Sequence, residues 1–150
     1  MAAMAFARFM ARQLARPSGL FGRLFLAPLW NRRNSALNDI AFDQLVVRTD
    51  DRVIEIGFGG GYLLDRIAQI TTDGFLAGVD ASQTMVARCR KRLGKALGPG
   101  RVDLKCAPAE SLPYLAESFS KACSVNSIFY WQDPRKGLAE ITRSTTKSLS

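Results

Sequence analysis

Histidine is absent from the 150 residues. Without imidazole there is no Ser-His-Asp or Cys-His nucleophile, no HExxH zinc site and no histidine general base. Cysteine is scarce. Cys89, Cys106 and Cys123 are odd in number, widely separated and form no CxxC pair. They predict neither a disulfide framework nor a metal site, but reduced, mostly buried thiols in a cytoplasmic protein. No apolar run approaches the roughly 20 residues that cross a bilayer, which excludes a membrane-spanning chain. Acid is missing from residues 1–38, which carry Arg8, Arg12, Arg16, Arg23, Arg32 and Arg33.

That last absence locates the net charge of +8, because the other fifteen basic residues nearly balance the thirteen acids. A uniformly basic nucleic-acid-binding domain is not built this way, so no specific nucleic-acid partner is expected. What is present is ordinary for a globular domain: 47% hydrophobic and 23% charged residues, in a length that suits one sizeable core. Residues 1–48 read as a basic helical arm and 49–150 as the domain proper. Within the arm, Phe6, Phe9, Met10 and Leu14 recur at helical spacing over 2–16, with arginines on another face. Pro17-Ser18-Gly19 ends that helix, the apolar stretch 20–30 is broken at Pro28, and a second helix is expected over 34–47. The Arg-rich, acid-free arm resembles a mitochondrial transit peptide or an interfacial anchor; a lid over a cleft or a peripheral membrane contact through residues 2–30 is the favoured reading.

From residue 52 the pattern alternates. Strands are expected at Arg52–Ile56, Phe75–Val79, Val102–Cys106 and Lys121–Asn126. Helices are expected at Tyr62–Ile70, from Ser82 to Leu97, and at Pro134–Arg143. Such alternation predicts an α/β, Rossmann-like, doubly wound parallel sheet of about four strands, covered on both faces. The basic run Arg88, Arg90, Lys91, Arg92 and Lys95 reads as the solvated face of a helix, with an RNA-binding patch as the alternative.

The first strand runs into Gly57-Phe58-Gly59-Gly60-Gly61. A strand that ends in glycines and opens into a helix brings backbone N–H groups and bare Cα atoms against a ligand. The dinucleotide fingerprint GxGxxG would need a third glycine where Tyr62 stands, so it fails. What stands there is Glu-x-Gly-x-Gly-x-Gly, with Glu55 two residues before the first glycine. An acid in the turn repels a pyrophosphate but suits a cationic ligand such as S-adenosylmethionine. Asp80 ends the next strand 19 residues after Gly61, near the ~20-residue offset of a ribose-binding carboxylate. The structural alternatives are that Glu55 caps a nearby helix and Asp80 opens a turn.

On these residues the chain resembles the class I S-adenosylmethionine-dependent methyltransferases, in particular those with a methyltransferase type 11 domain. VIEIGFGGG is similar to the first motif of that family and GVDASQTMVARCRKR to the second. APAESLPY with SFSKACSVNSIFYWQDP is similar to the stretch from the third strand through the fourth. The resemblance covers about residues 50–143. It implies that Glu55, Gly57, Gly59 and Gly61 surround the methionine part of S-adenosylmethionine and that Asp80 holds the ribose. It places Ala81 and Met85 near the adenine, Ala109 and Glu110 along its edge, and Asn126 with Ser127 near the reactive methyl. Tyr130 and Trp131 would face the acceptor or pack in the core.

Two departures from the family pattern matter. Pro108 replaces an aspartate that often precedes the Ala-Glu pair, and it offers no side-chain acceptor. The tail after Arg143 is polar and lacks the Gly-rich turn that leads to further strands. The expectation is an incomplete, C-terminally truncated domain whose fourth strand is an unpaired edge, weakly stable alone or paired as a homodimer. The expected function is methyl transfer from S-adenosylmethionine to a small-molecule or lipid acceptor, in the cytoplasm or at a membrane surface. No catalytic base is identified: Glu110, Tyr130 and Asp133 are the candidates, and none is persuasive. The alternatives are an inactive cofactor-binding remnant and an NAD-dependent oxidoreductase.

Overall fold

A computed structural model describes residues 27–94, 98 and 100–146. The chain divides into two compact units, Met1–Ala36 and Leu37–Ser150, and the sheet lies in the second. The arm helix expected over 2–16 lies outside the described residues. Where a break at Pro28 and a helix over 34–47 were expected, one helix, α1, runs Ala27–Leu45. Pro28 falls in its first turn, where a missing N–H is harmless. In the second unit Ala41, Phe42 and Leu45 of α1 pack on the core. Arg66 anchors them, pairing with Asp39 and lying over the Phe42 ring at 4.0 Å.

The remaining order is β1 (Arg52–Ile56), α2 (Tyr62–Ile70), β2 (Phe75–Asp80), α3 (Gln83–Leu93), β3 (Val102–Cys106), β4 (Lys121–Cys123) and α4 (Pro134–Ser144). The four strands form one parallel sheet in the order β3-β2-β1-β4. It is the α/β Rossmann-like sheet the alternation predicts. Val53 and Glu55 face one side of β1 and Ile54 and Ile56 the other, and all four are buried. Both faces are therefore covered. On one, Leu63, Leu64 and Ile67 of α2 meet Val86, Cys89 and Leu93 of α3. On the other, Ile54, Ile56, Ala77 and Val79 meet Ala109, Leu112 and Phe119, with Ile141 of α4 against them. Each such fully buried aliphatic side chain stabilises the fold by about 1.5–3 kcal/mol.

Three expectations shift. Helix α3 stops at Leu93, where Gly94 caps it, and not at Leu97. Strand β4 has three residues, and the chain bends at Val125 and Asn126. Just before the fourth strand, at Phe119, the chain gains an outer neighbour, while Lys121–Cys123 themselves pair only with β1 among the described residues. After α4 the chain returns in parallel, with Phe119 N–H donating to the Ser144 carbonyl (3.0 Å) and Thr146 N–H to the Phe119 carbonyl (2.8 Å). Alternation along a strand sends these bonds to the side opposite β1, so Thr145 starts a neighbour for the segment that leads into β4.

Strand order decides where a ligand can sit. From β1 the chain winds outward through β2 and β3, and β4 then lies on the other side of β1. The reversal parts the connections between β1 and β4, and in such sheets the crevice opens at the carboxyl ends of those strands.

Candidate functional site

The glycine turn stands at that crevice. Gly57, Gly59 and Gly61 have φ of +74°, +52° and +77°, a region that side chains with a Cβ rarely adopt. Gly57 is doubly constrained: a Cβ there would lie 2.2 Å from Cβ of Ser127. Ser127, in the turn after β4, donates its hydroxyl to the Ile56 carbonyl (3.0 Å) and meets the Ser124 hydroxyl at 2.5 Å. The ends of β1 and β4 are thereby latched together. At Gly59 and Gly60 a Cβ would meet nothing within 4 Å, so this side of the turn has room.

Glu55 lies beneath the turn and is 2% exposed. Its carboxyl accepts the N–H of Leu64 in the first turn of α2, a helix whose N-cap, Gly61, has no side chain to offer. It thus fills the helix-capping role named above as its structural alternative. Its Oε2 is nonetheless buried with no hydrogen-bond partner. Burial first, and then the charge of Asp80, push this carboxyl up to about 8. A buried acid without a cation holds its proton. Burial therefore favours the protonated form of Glu55 when nothing cationic faces it, against the picture of a standing negative charge.

Asp80 ends β2, next to the end of β1. Its Oδ2 accepts the Gly59 N–H (2.9 Å) and its Oδ1 the Ser82 N–H (2.8 Å). It opens a turn and ties β2 to the glycine turn. Each carboxylate oxygen has a second lone pair, so two hydroxyls can still be accepted. Ser82 caps α3 by accepting the Met85 N–H at 3.4 Å. Ala81 is exposed, and the Met85 side chain packs on the core beside the turn.

The far wall is the segment after β3. Ala107 N–H donates to the Asp80 carbonyl (3.1 Å), and Ala109 is buried among the other core cluster. Helix α4 holds this wall: Glu140 accepts the Leu112 N–H (2.9 Å), and Arg143 donates to the carbonyls of Tyr114 (2.9 Å) and Leu112 (3.2 Å). Glu110 accepts the Asp133 N–H at 2.9 Å. Burial raises its carboxyl, but the N–H groups of Asp133, Glu110 and Gln132 outweigh that and leave it below the usual range. Asp133 in turn caps α4 by accepting the Lys136 N–H. Two of the three base candidates are thus engaged in seating α4. Asn126 sits in the turn after β4 with φ +55°.

The structure thus brings Glu55, the three glycines, Asp80 and Asn126 to one edge of the sheet, with Ala81, Met85, Ala109 and Glu110 around it. Of the aromatics, Trp131 packs against Gly137 of α4, whereas Phe129 is 84% and Tyr130 51% exposed. The thiols divide likewise. Cys89 is buried, Cys123 half-buried and Cys106, expected to be covered with them, exposed. Burial and the nearby Glu55 push the Cys89 thiol up to about 12 against the pull of Arg92. Sequence reasoning missed one contact altogether. Arg92, read as part of a solvated face, donates through Nε to the Gly60 carbonyl at 2.8 Å.

The residues present fit a cationic nucleoside: an unpaired buried carboxyl oxygen, an open glycine turn, and a carboxylate with spare lone pairs one strand away. Among the described residues no cluster could hold a metal ion and no helix is long and apolar enough to cross a membrane.

Comparison with known proteins agrees with this geometry. Residues 53–148 match the family model described as a methyltransferase domain. An uncharacterized methyltransferase of Bacillus subtilis, YdaC, is 32% identical over 111 residues, which are 74% of this chain and 59% of that protein. The ubiquinone/menaquinone biosynthesis C-methyltransferase UbiE of Geobacter sulfurreducens is 30% identical over 93 residues, covering 61% of this chain and 36% of the relative. The chain thus spans less than two thirds of either. A solved S-adenosylmethionine-dependent methyltransferase of Thermotoga maritima superposes with a TM-score of 0.62 at 27% identity, over 85% of this chain and 54% of its own.

Proposed function

This chain belongs to the methyltransferase domain family, and from that premise we propose that it binds S-adenosylmethionine at the carboxyl edge of its sheet and methylates a small-molecule or lipid acceptor. The observation that carries the reading is Glu55 Oε2, buried without a partner beneath an open glycine turn. An ammonium group supplies the missing donor and favours the ionised carboxyl, forming a charge-assisted pair.

In this reading Gly57, Gly59 and Gly61 let the backbone approach the methionine part, with Glu55 under it. Asp80, already fixed by two N–H groups, accepts both ribose hydroxyls. Ala81 and Met85 bound the adenine on one side. Ala109 and the Glu110 backbone bound it on the other, since the Glu110 carboxylate is engaged with Asp133. Asn126, latched against the turn by its neighbour Ser127, closes the methyl end. When bound, S-adenosylmethionine supplies a methyl group already activated by the sulfonium charge. The chain's own contribution is then orientation and the exclusion of water. For the acceptor, the exposed Phe129 and Tyr130 favour an apolar or ring-bearing molecule, in keeping with a relative named for quinone biosynthesis.

Calorimetric titration with S-adenosylhomocysteine tests the assignment. Wild type binds it, and Asp80→Ala binds about tenfold or more weakly, as expected for loss of charge-assisted hydrogen bonds. Equal affinity in both proteins would remove Asp80 from the site. Binding with no turnover on any apolar acceptor would leave the cofactor site standing and refute the transferase activity of this chain.

A further inference from the structure

Helix α3 stands behind the glycine turn and touches it twice from one face. Cys89 fills the space under Gly61, its sulfur 2.4 Å from where a Cβ would be. One turn on, the Arg92 Nε–H donates to the Gly60 carbonyl at 2.8 Å. On its other side the turn is held by Asp80, which accepts the Gly59 N–H, and by the Gly61 N–H donating to the Phe58 carbonyl at 2.9 Å. The peptide between Gly60 and Gly61 has no Cβ on either flank. Sterics therefore leave its orientation open, and only its hydrogen bonds decide which way it faces. Its N–H is held within the turn, and its carbonyl is held by Arg92. A guanidinium bound to a carbonyl is a charge-assisted bond, stronger than a neutral one.

We propose that Arg92 is a positioning residue for the cofactor site, pinning the Gly60 carbonyl so that the glycine turn keeps the shape that receives its ligand. The inference rests on the S-adenosylmethionine reading for the identity of that ligand, but the clamp itself is a property of the ligand-free protein. Arg90, two residues earlier, is spent elsewhere, donating to the Leu104 carbonyl of β3 at 2.9 Å. Arg88 is exposed on the same helix and forms no bond to the turn among the described residues. It therefore separates a clamp from a general effect of positive charge.

The test has two independent readouts on the full chain. Hydrogen–deuterium exchange of the ligand-free protein should show faster exchange across residues 59–62 in Arg92→Ala than in wild type, with unchanged protection in β1 and β2. Titration with S-adenosylhomocysteine should show affinity about threefold to tenfold weaker in Arg92→Ala, partly restored in Arg92→Lys and unchanged in Arg88→Ala. Should the alanine variant fail to fold, Arg92→Lys carries both measurements, with intermediate losses expected. Wild-type exchange in the turn together with wild-type affinity in Arg92→Ala would overturn the clamp. So would an Arg88→Ala defect as large as that of Arg92→Ala. A wild-type protein that binds no S-adenosylhomocysteine would instead sink the ligand assignment, and the exchange comparison would still decide the role of Arg92.

Discussion

The two ends of the sheet are finished differently. At the amino end Asp51 is buried, yet it accepts the Arg48 N–H (2.7 Å) and the Ser120 hydroxyl (2.8 Å) and pairs with Lys121 at 2.7 Å. Lys121 also donates to the Val46 carbonyl, and Arg52 to that of Ser118. Burial raises the Asp51 carboxyl, but Lys121, Arg48 and Ser120 together hold it below its ordinary value. At the carboxyl end Glu55 keeps an oxygen with no partner, and its carboxyl is pushed up to about 8. Asp51 immediately precedes β1 and Glu55 lies within it, and both are buried. One is completed by the protein; the other keeps an unpartnered oxygen, which the proposed ligand would complete. An unpaired buried polar atom costs about 1–3 kcal/mol, and the chain bears that cost at the end where the strand order opens a crevice. The amino end has one comparable loose group, the buried Arg101 Nε, which follows a glycine turn at Gly98 and Gly100 but lies at the opposite end of the sheet from the crevice.

The contrast can be broken most severely at Gly57. Alanine there would need φ near +74° and would place its Cβ against Ser127. It should destabilise the domain by about 2–4 kcal/mol, the combined scale of backbone strain and overpacking. Urea denaturation measures this, and adding Ser127→Gly should return part of the loss. If Gly57→Ala proved neutral, the β1–β4 latch would not be holding the edge together. Next in size is Asp51→Ala, expected to cost about 2 kcal/mol at pH 7 while leaving S-adenosylhomocysteine affinity unchanged. Because its native carboxyl lies below the unfolded value, Asp51 stabilises above about pH 4 and loses that effect as pH falls further. The mutant and wild-type denaturation midpoints should therefore converge in acid.

The pH dependence at Glu55 sharpens the comparison most. In Glu55 the native carboxyl lies above the unfolded one, so the sign reverses. The folded protein keeps a proton that the unfolded chain has released, and stability falls as pH climbs from about 4.5 through 8. Glu55→Gln should match wild type at pH 5 and exceed it at pH 9 in thermal denaturation. A ligand ammonium draws the proton off, so wild-type affinity should tighten by up to about fiftyfold from pH 6 to pH 8. The glutamine variant should show a flat profile.

Much of this was legible in the chain itself. The ends of β1, α2 and β3 fall where glycine, proline and a change of hydrophobic period punctuate the sequence, since those signals are local. The gathering of Glu55, the glycines and Asp80 at one edge follows from spacing, because parallel strands in a βαβ unit bring their carboxyl ends together. What the sequence hid is long-range. Nothing near Ser124 announces that Ser127 will bond to Ile56. Nothing in a run of five basic residues separates Arg92, which reaches back 32 positions to Gly60, from Arg88, which does not. The return of Thr145 beside Phe119 is likewise set by how α4 packs, not by the polar composition of the tail. Glu55 was readable as an acid in a turn, but its preference for the protonated form was not, because burial belongs to the fold.

The central claim is that the carboxyl edge of this sheet receives a cationic nucleoside and not a dinucleotide. Parallel calorimetric titrations of the wild-type chain with S-adenosylhomocysteine and with NADH at pH 8 test it directly. Saturable binding of the first with no heat from the second is the predicted result; NADH binding in place of S-adenosylhomocysteine would contradict it.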